Sequence, residues 1–429
     1  MTTTEIDLKA LATDARSAAR KLASATTAQK NDALHRIAIA LGTDAAAVIK
    51  ANEQDLAGAR AAGLGDHVID RLLLDRQRLA QMASDTRAVA SLPDPIGEVI
   101  ESNTLPNGIR LERRRVPLGV IGVIYESRPN VTIDISALCL KSGNAAILRG
   151  GREAFHSNQA LATLVGSALA AAGLPRSAIQ FVASTDRALV DQLLTMKDQI
   201  DLLIPRGGAD LVRMVAEKAT MPAITGGVGV CHTYVDDRAD LDKAVAIVVN
   251  AKVQRPSVCN ALDTIIVHSQ IADRFLPAVA RKLWDAGVEL RCDPRSLAVL
   301  EPAARAAGKS DRIKRARSDD FGREFLALIA AVKVVDGFDD ALDHIAKYGS
   351  GHSEAIVTES QAAEERFLNE VDAAAVFANA STRFTDGARF GLGAEVAIST
   401  GKFHARGPMG LREITSYKWV ARGSGQIVS

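Results

Sequence analysis

Four cysteines are the side chains of this sequence best suited to covalent chemistry: Cys139, Cys231, Cys259 and Cys292. Their spacing matches neither a paired Cys-x-x-Cys zinc site nor the dense disulfide framework of a small secreted domain. The thiols are therefore expected to be free, as in the reducing cytoplasm, which is the predicted location. Because a thiolate is a strong nucleophile, the first question is whether one of the four reacts.

Cys259 is the cysteine whose surroundings best suit reactivity. It lies in the loop Gln254–Asn260, between a predicted helix and a predicted strand. Loops on a rigid scaffold are where reactive side chains concentrate. The neighbouring Arg255 and the backbone N–H groups of the loop would favour the thiolate. The other three cysteines stand in apolar surroundings and are predicted to pack in cores. From the residues alone, packing remains an open alternative for Cys259 as well.

Two glycine turns have the composition of phosphate-binding sites. Gly207 and Gly208 follow the predicted strand Asp201–Ile204 and open a helix, whose first N–H groups can bind an anion. Arg149 and Arg152 stand at the end of another predicted strand, where they would suit a ribose phosphate. Simple chain reversal and solvated charge remain the alternatives at both turns. Strict Gly-x-Gly-x-x-Gly and Walker motifs are absent.

The rest of the composition excludes several classes of function. The chain has 52 Lys and Arg against 51 Asp and Glu, a net charge of +1, which argues against broad binding to nucleic acid or anionic membrane. Neither a signal peptide nor a membrane span is predicted. The histidines form no metal-ligand pattern, so no metal is expected. Ser353 stands in an incomplete Gly-x-Ser-x-Gly block and is not predicted to be a nucleophile.

The hydrophobic pattern predicts an α/β protein. Residues 5–91 show apolar side chains at helical spacing. Residues 97–115 contain two extended runs around a Pro-Asn-Gly turn, which is typical of a β-hairpin. From residue 117 onward strands and helices alternate, which predicts a parallel sheet covered by helices. A second such series begins near Gly229, so two α/β domains are expected.

The segment Val335–Ile356, VDGFDDALDHIAKYGSGHSEAI, resembles the signature of the γ-glutamyl phosphate reductases, which belong to the aldehyde dehydrogenase superfamily. Other matching blocks are Gly122–Thr132, Lys141–Asn144, Leu148–Gly151, Asn379–Gly387, Thr400–Lys402 and Ala405–Pro408. The resemblance covers nearly the whole chain, and its motifs are long.

This resemblance implies an aldehyde-dehydrogenase-like fold with two parallel-sheet α/β domains and an oligomerisation β-hairpin. The expected parts are an NADP(H)-binding domain at 1–96 and 117–228, a catalytic domain at 229–378, an oligomerisation ribbon at 97–116 and 411–429, and a return segment near the active site at 379–410. A homodimer or homotetramer is expected, with the upstream glutamate kinase as a candidate protein partner.

The implied reaction is the NADPH-dependent reduction of L-glutamyl 5-phosphate to glutamate 5-semialdehyde, the second step of proline biosynthesis. The resemblance places the nucleophile at Cys259 and a nicotinamide-ribose contact at Glu324 and Phe325. It places the adenosine-side basic residue at Arg149, beside Arg152.

The same resemblance also bears on the oxyanion site and on the partners of the substrate's anionic groups. The oxyanion-site side chain is left open between Asn130, the chemically closer residue, and Glu126, which an ungapped comparison selects. The expected partners of the substrate's anionic groups are Arg255, His352, Arg383, Lys141 and Arg389.

The block Ile224–Val228 has no carboxylate where hydrolytic aldehyde dehydrogenases have a glutamate base. A base that activates water would hydrolyse an acyl-enzyme, so its absence suits an enzyme that reduces a thioester. Two alternatives remain: a hydrolytic aldehyde dehydrogenase with another substrate, and a non-catalytic nucleotide-binding protein on the same fold.

Overall fold

The computed structural model describes residues 6–224, 226 and 228–428. The chain divides into two compact units. Unit 1 comprises Met1–Thr225, Gly391–Ala397 and Met409–Ser429, and unit 2 comprises Gly226–Phe390 and Ile398–Pro408.

Unit 1 begins with the helices that the apolar spacing predicts. They are α1 (Leu8–Leu22), α2 (Thr27–Thr43), α3 (Ala45–Ala61), α4 (Asp66–Leu72) and α5 (Arg76–Ser91). Side chains fix where these helices begin, because the first N–H groups of a helix have no partner within it. Asp7 accepts hydrogen bonds from the first turn of α1, and Thr26 and Gln29 form a reciprocal capping box at α2.

A four-stranded parallel sheet forms the centre of unit 1, in the order β5-β4-β3-β6. Its strands are β3 (Val120–Tyr125), β4 (Ala145–Gly150), β5 (Ile179–Phe181) and β6 (Leu202–Arg206), and its helices are α6 (Asn130–Lys141), α7 (Phe155–Ala171), α8 (Ala188–Leu193) and α9 (Ala209–Lys218). The chain runs from β3 outward to β5 and then returns to the other side of β3. The topological switch therefore lies between β3 and β6, and ligands of such sheets bind at the carboxyl ends there.

A three-stranded antiparallel ribbon also belongs to unit 1. It consists of β1 (Val99–Thr104), β2 (Arg110–Pro117) and β16 (Thr415–Arg422), with β2 in the middle. The predicted hairpin is confirmed, and its turn requires glycine at Gly108, where φ is +85°. Most side chains of β1 and β16 are exposed.

Unit 2 is built on a seven-stranded parallel sheet in the order β10-β9-β11-β8-β7-β12-β13. The strands are β7 (Cys231–Val235), β8 (Leu262–His268), β9 (Glu289–Cys292), β10 (Ile313–Arg315), β11 (Ile329–Val335), β12 (Ser353–Val357) and β13 (Ala375–Ala378). The helices are α10 (Leu241–Val253), α11 (Ser269–Asp285), α12 (Pro294–Ala306), α13 (Phe338–Tyr348) and α14 (Gln361–Glu370). The short strands β14 (Ala397–Ser399) and β15 (Gly407–Met409) lie where the chain passes between the units.

Both sheets have strands that are apolar on both faces, as expected of parallel sheets covered by helices. Strands β3, β4, β7 and β8 are buried throughout. The predicted α/β class with two parallel sheets is therefore confirmed. No helix in the described part of the chain is long and apolar enough to span a membrane.

Candidate active site

Cys259 differs from the other cysteines in its exposure. It lies between α10 and β8 and is partly exposed, whereas the other three are fully buried. Burial raises the pKa of both Cys139 and Cys292 to about 12 and raises that of Cys231 well above its ordinary value. Their predicted packing role is confirmed. Cys259 is the only cysteine within the described ranges that solvent reaches.

The cysteine loop is anchored by hydrogen bonds at Cys259 and at Asn260, the residue that follows it. The Asn260 side-chain amide donates to the Thr385 carbonyl at 2.7 Å, and the Thr382 hydroxyl donates to the Asn260 carbonyl at 2.8 Å. The Cys231 thiol donates to the Cys259 carbonyl at 3.2 Å. These contacts fix the backbone that carries the Cys259 thiol, as a preorganised nucleophile requires.

Gly229 brings a second backbone segment against this loop. A Cβ atom at Gly229 would lie 1.6 Å from the Cys259 carbonyl oxygen, so only glycine fits there. The Gly229 N–H donates to Glu324 Oε1 at 3.0 Å. Gly229 therefore links the cysteine loop to Glu324 within unit 2.

Glu324 and Phe325 stand in a fixed loop before β11. Burial raises the pKa of Glu324 to about 7, which the Gly229 hydrogen bond opposes and the nearby Asp263 carboxyl reinforces. The Phe325 N–H donates to Asp263 Oδ1 at 3.0 Å, and the Arg291 guanidinium lies 5.1 Å from the centre of the Phe325 ring. This half-buried carboxyl is the hydrogen-bonding group that the resemblance assigns to the cofactor ribose.

Three arginines gather at the same end of unit 2. Arg383 is only 5% exposed, and its Nε donates to Gln254 at 2.9 Å. Burial lowers the pKa of Arg383, and the nearby positive charges of Arg389 and Arg255 lower it further. The nearby Asp386 carboxylate and the Cys259 sulfur act on the pKa of the same guanidinium in the opposite direction. The three arginines thus form a cationic cluster near the thiol, the environment in which thiolates and anionic substrates are stabilised.

His352 does not have the charge expected of an anion partner. It is fully buried, and burial lowers its pKa to about 4, so the imidazole is neutral at pH 7. Its Nδ1 lies 2.8 Å from the Ser353 hydroxyl, which donates to the Thr385 hydroxyl at 2.7 Å. The expectation that His352 pairs with a substrate anion by charge is therefore corrected. The ring belongs instead to the chain of contacts that leads to Thr385.

Lys141 is likewise enclosed. Its ammonium group donates at 2.7 Å to both the Asn31 side chain and the Ala90 carbonyl, and the side chain is fully buried in unit 1. A buried charge needs such partners, because desolvation is costly. These contacts give Lys141 a structural role, and we do not retain it as a substrate ligand.

Two of the cofactor-side candidates, Arg149 and Arg152, line a pocket of about 440 Å³ in unit 1, at the carboxyl ends of β3 and β4. Its polar lining comprises Glu126, Arg149, Arg152, Glu153, Thr185, Arg187, Asp191, Asp210 and Lys218. The pocket lies at the topological switch of the sheet, where this fold class binds nucleotides.

The Gly207-Gly208 turn contacts Glu126, a residue of the pocket lining, which the sequence does not predict. The Gly208 N–H at the start of α9 donates to Glu126 Oε2 at 3.0 Å, and a Cβ at Gly207 would lie 2.4 Å from the same oxygen. A carboxylate of the protein itself thus occupies the helix N-terminus that is expected to hold a phosphate. A side chain at residue 207 would have to displace the Glu126 carboxylate.

Asn130 begins α6 in unit 1, and its side-chain amide donates to Asp134 at 2.8 Å. Burial raises the pKa of Asp134 to about 6. The choice between Asn130 and Glu126 for the oxyanion site stays a prediction.

Sequence reasoning missed Gly229, the Cys231 thiol contact and Arg187. Gly229 ends a glycine-rich block, which is the one signal in the sequence for a close backbone approach. No group of three metal-ligating side chains comes together in the part of the chain that the structure describes.

Comparison with known proteins identifies the chain. The model of the aldehyde dehydrogenase family matches residues 1–296. A γ-glutamyl phosphate reductase of Dehalococcoides mccartyi is 56% identical over 413 residues, 96% of each chain, and one of Roseiflexus castenholzii is 57% identical over 98% of this chain and 99% of that one. The chain belongs to the γ-glutamyl phosphate reductases of the aldehyde dehydrogenase family.

Solved structures agree with this family assignment. The crystal structure of the γ-glutamyl phosphate reductase of Thermotoga maritima matches with a TM-score of 0.95 and 44% identity, over 99% of this chain and 100% of that one. An acetylating aldehyde dehydrogenase of Geobacillus thermoglucosidasius matches with a TM-score of 0.71 at 18% identity, over 99% and 98% of the two chains, which shows the shared fold. Membership of the aldehyde dehydrogenase family implies a nicotinamide cofactor.

The unit 1 pocket fits such a cofactor chemically. Three arginines line it, and their guanidinium groups are planar donors that suit phosphate oxygens. The phosphates of a nucleotide supply such acceptors.

Proposed function

We propose that this protein reduces L-glutamyl 5-phosphate to glutamate 5-semialdehyde and phosphate with NADPH, and so catalyses the second step of proline biosynthesis. The observation that carries the proposal is the partly exposed Cys259 in an anchored loop near Arg255, Arg383 and Arg389. A nucleophile beside a cationic cluster suits a substrate that carries both an acyl group and a phosphate.

In the first step the Cys259 thiolate attacks the γ-carbonyl carbon. The bond between that carbon and the phosphate oxygen breaks, phosphate leaves and takes up a proton, and a thioester forms. Arg255 and Arg383 are the proposed partners of the phosphate, because positive charge stabilises the leaving group as its negative charge grows. The Cys259 N–H and a side chain from 126–130 are the proposed donors to the oxyanion.

NADPH, when bound, would supply the hydride that reduces the thioester carbon. The resulting tetrahedral oxyanion collapses, the carbon–sulfur bond breaks, and the Cys259 thiolate is regenerated as the aldehyde leaves. Glu324 is the proposed hydrogen-bond partner of the cofactor ribose, and Phe325 packs beside it. Overall, one acyl phosphate, one NADPH and one proton give one aldehyde, one NADP⁺ and one phosphate.

Covalent capture also explains the carboxylate-free block at Ile224–Val228, of which residues 225 and 227 lie outside the described residues. A thioester that must await hydride transfer is better protected without a base that activates water. We therefore propose reduction rather than hydrolysis as the fate of the acyl-enzyme.

The test is the reverse reaction, the phosphate-dependent oxidation of glutamate 5-semialdehyde with NADP⁺. The wild type should require phosphate and prefer NADP⁺ to NAD⁺. Cys259→Ala should lose the activity, while the matched variant Cys139→Ala, at a fully buried thiol, should keep it. Normal activity in Cys259→Ala would overturn the mechanism, and phosphate-independent turnover would overturn the assigned substrate.

Assembly is the remaining part of the proposal. The exposed ribbon carries Tyr417 and Trp419, with the Arg113 guanidinium 5.0 and 5.9 Å from their ring centres, and aromatic residues with arginine are typical of protein interfaces. We propose that the ribbon joins subunits into a homodimer or homotetramer and that glutamate kinase is a partner. Light scattering of wild type and of a Tyr417→Ser/Trp419→Ser variant tests the first claim, since an unchanged mass would contradict it. Co-sedimentation with the kinase tests the second.

A further inference from the structure

Arg187 is a pocket residue that no step above uses. It immediately precedes α8 and lines the unit 1 pocket together with Arg149 and Arg152. Its side chain is exposed and, within the described residues, forms no hydrogen bond or ion pair. An arginine that faces a pocket without a partner is available to a ligand.

Arg149, by contrast, is largely committed to the protein. One of its terminal nitrogens donates to the Gly150 carbonyl at 2.7 Å, and the other lies within 3.3 Å of the carbonyls of Thr185 and Asp186. Those two residues immediately precede Arg187. Arg149 therefore holds the backbone turn that presents Arg187 to the pocket.

The charges of the pocket are unevenly paired. Each carboxylate in its lining has a partner: Glu126 the Gly208 N–H, Glu153 the N–H and hydroxyl of Ser127, Asp191 the Lys218 ammonium, and Asp210 the Arg213 guanidinium. Arg152 and Arg187 have no such carboxylate. Burial lowers the pKa of Arg149, and the positive charge of Arg187 lowers it further, so the two guanidinium groups repel each other.

We propose that Arg187, together with Arg152, binds the 2′-phosphate of NADPH and sets the preference for NADPH over NADH, and that Arg149 is a positioning residue that acts through Arg187. The phosphate dianion matches the planar donors of two guanidinium groups, and its negative charge offsets the repulsion between Arg187 and Arg149. This inference rests on the proposed function for the identity of the cofactor.

The experiment measures binding, by calorimetry on the full chain, of adenosine 2′,5′-bisphosphate and of adenosine 5′-monophosphate (AMP), the matched ligand without a 2′-phosphate. We expect Arg187→Ala to weaken binding of the bisphosphate by about tenfold or more, the usual effect of a lost charge-assisted hydrogen bond, and to change that of AMP by less than about twofold. Arg187→Lys, which keeps the charge and loses the planar fork, should lie between. Arg213→Ala, whose partner Asp210 lines the pocket, should match the wild type.

Arg149 is tested in the same assay. If it acts through Arg187, the double variant Arg149→Ala/Arg187→Ala should bind the bisphosphate no more weakly than Arg187→Ala does. Additive losses would overturn the positioning role.

Three results would overturn the role of Arg187: unchanged bisphosphate affinity in Arg187→Ala, equal losses for both ligands, or a wild type that does not distinguish them. Retained AMP binding shows that each variant is folded. No acyl phosphate is present, so failure of the proposed reductase activity would be seen separately.

Discussion

Replacing Arg383 with glutamine should weaken phosphate binding without preventing the protein from folding. Arg383 is 5% exposed, and Arg389 and Arg255 lower its pKa, so its charge is repelled by its neighbours when no anion is bound. A phosphate dianion turns that repulsion into attraction. The variant therefore shows separately how the arginine cluster affects the stability of the protein and how it affects binding of phosphate.

The magnitude follows from the contacts that are lost. A hydrogen bond to a charged group contributes about 1.5–3 kcal/mol, so the KM for phosphate in the reverse reaction should rise by roughly 10- to 150-fold. Within the protein, the substitution removes one charge-assisted hydrogen bond to Gln254, worth about 1.5–3 kcal/mol, and the attraction to Asp386, but it also removes the repulsion from two arginines. The lost repulsion offsets part of the loss, so the free energy of unfolding should fall by less than about 3 kcal/mol.

The assay combines steady-state kinetics with urea unfolding of the same preparations. The matched control is Arg295→Gln, an exposed arginine of unit 2 that pairs with Asp336, and its kinetics should equal those of the wild type. A KM for phosphate within twofold of the wild type would refute the role of Arg383 in phosphate binding. A loss of unfolding free energy above about 3 kcal/mol would instead show that the guanidinium is mainly structural.

Two further predictions concern the neighbours of Cys259. Gly229→Ala places a Cβ against the Cys259 carbonyl, so it should lower the free energy of unfolding by at least about 1–3 kcal/mol and remove most of the activity. Gly337→Ala is the control, because no atom lies within 4 Å of a Cβ there, and it should change stability and activity little. Equal unfolding curves for the two variants would contradict this prediction. Because the pKa of Glu324 is raised to about 7 in the folded protein, its contribution to stability is present at acid pH and lost as the pH rises from about 4.5 through 7. Glu324→Gln should flatten that part of the stability profile, and an unchanged slope would show that the carboxyl titrates normally.

The sequence predicts the architecture well because its pattern is local and repeated. Strands apolar on both faces, alternating with helices, specify parallel sheets without knowledge of tertiary contacts. Helix α12 (Pro294–Ala306) was not among the predicted elements, although Asp293 as N-cap and Pro294 in the first turn are recognisable helix-start signals. The internal Pro302 and the spacing of its apolar residues obscured the helix.

The site was harder to predict, because side-chain charge and partners depend on tertiary burial. His352 and Lys141 are both basic residues of a family motif, yet burial makes one neutral and encloses the other. The general rule for parallel sheets directs attention to the carboxyl ends of strands. In unit 2, however, Cys259, Gly229 and Glu324 all precede strands and so lie toward their amino ends. The loop around Cys259 already favoured that cysteine, whereas only the family resemblance selected Glu324.

The most direct test of the central claim is a reaction of the wild type with glutamate 5-semialdehyde and NADP⁺ in the absence of phosphate. Our account predicts a single burst of NADPH that then stops, with one glutamyl group bound through the Cys259 sulfur in peptide mass spectrometry. Added phosphate should release that group as L-glutamyl 5-phosphate and restart turnover. Continuous NADPH formation without phosphate, or a glutamyl group on any other residue, would contradict the account.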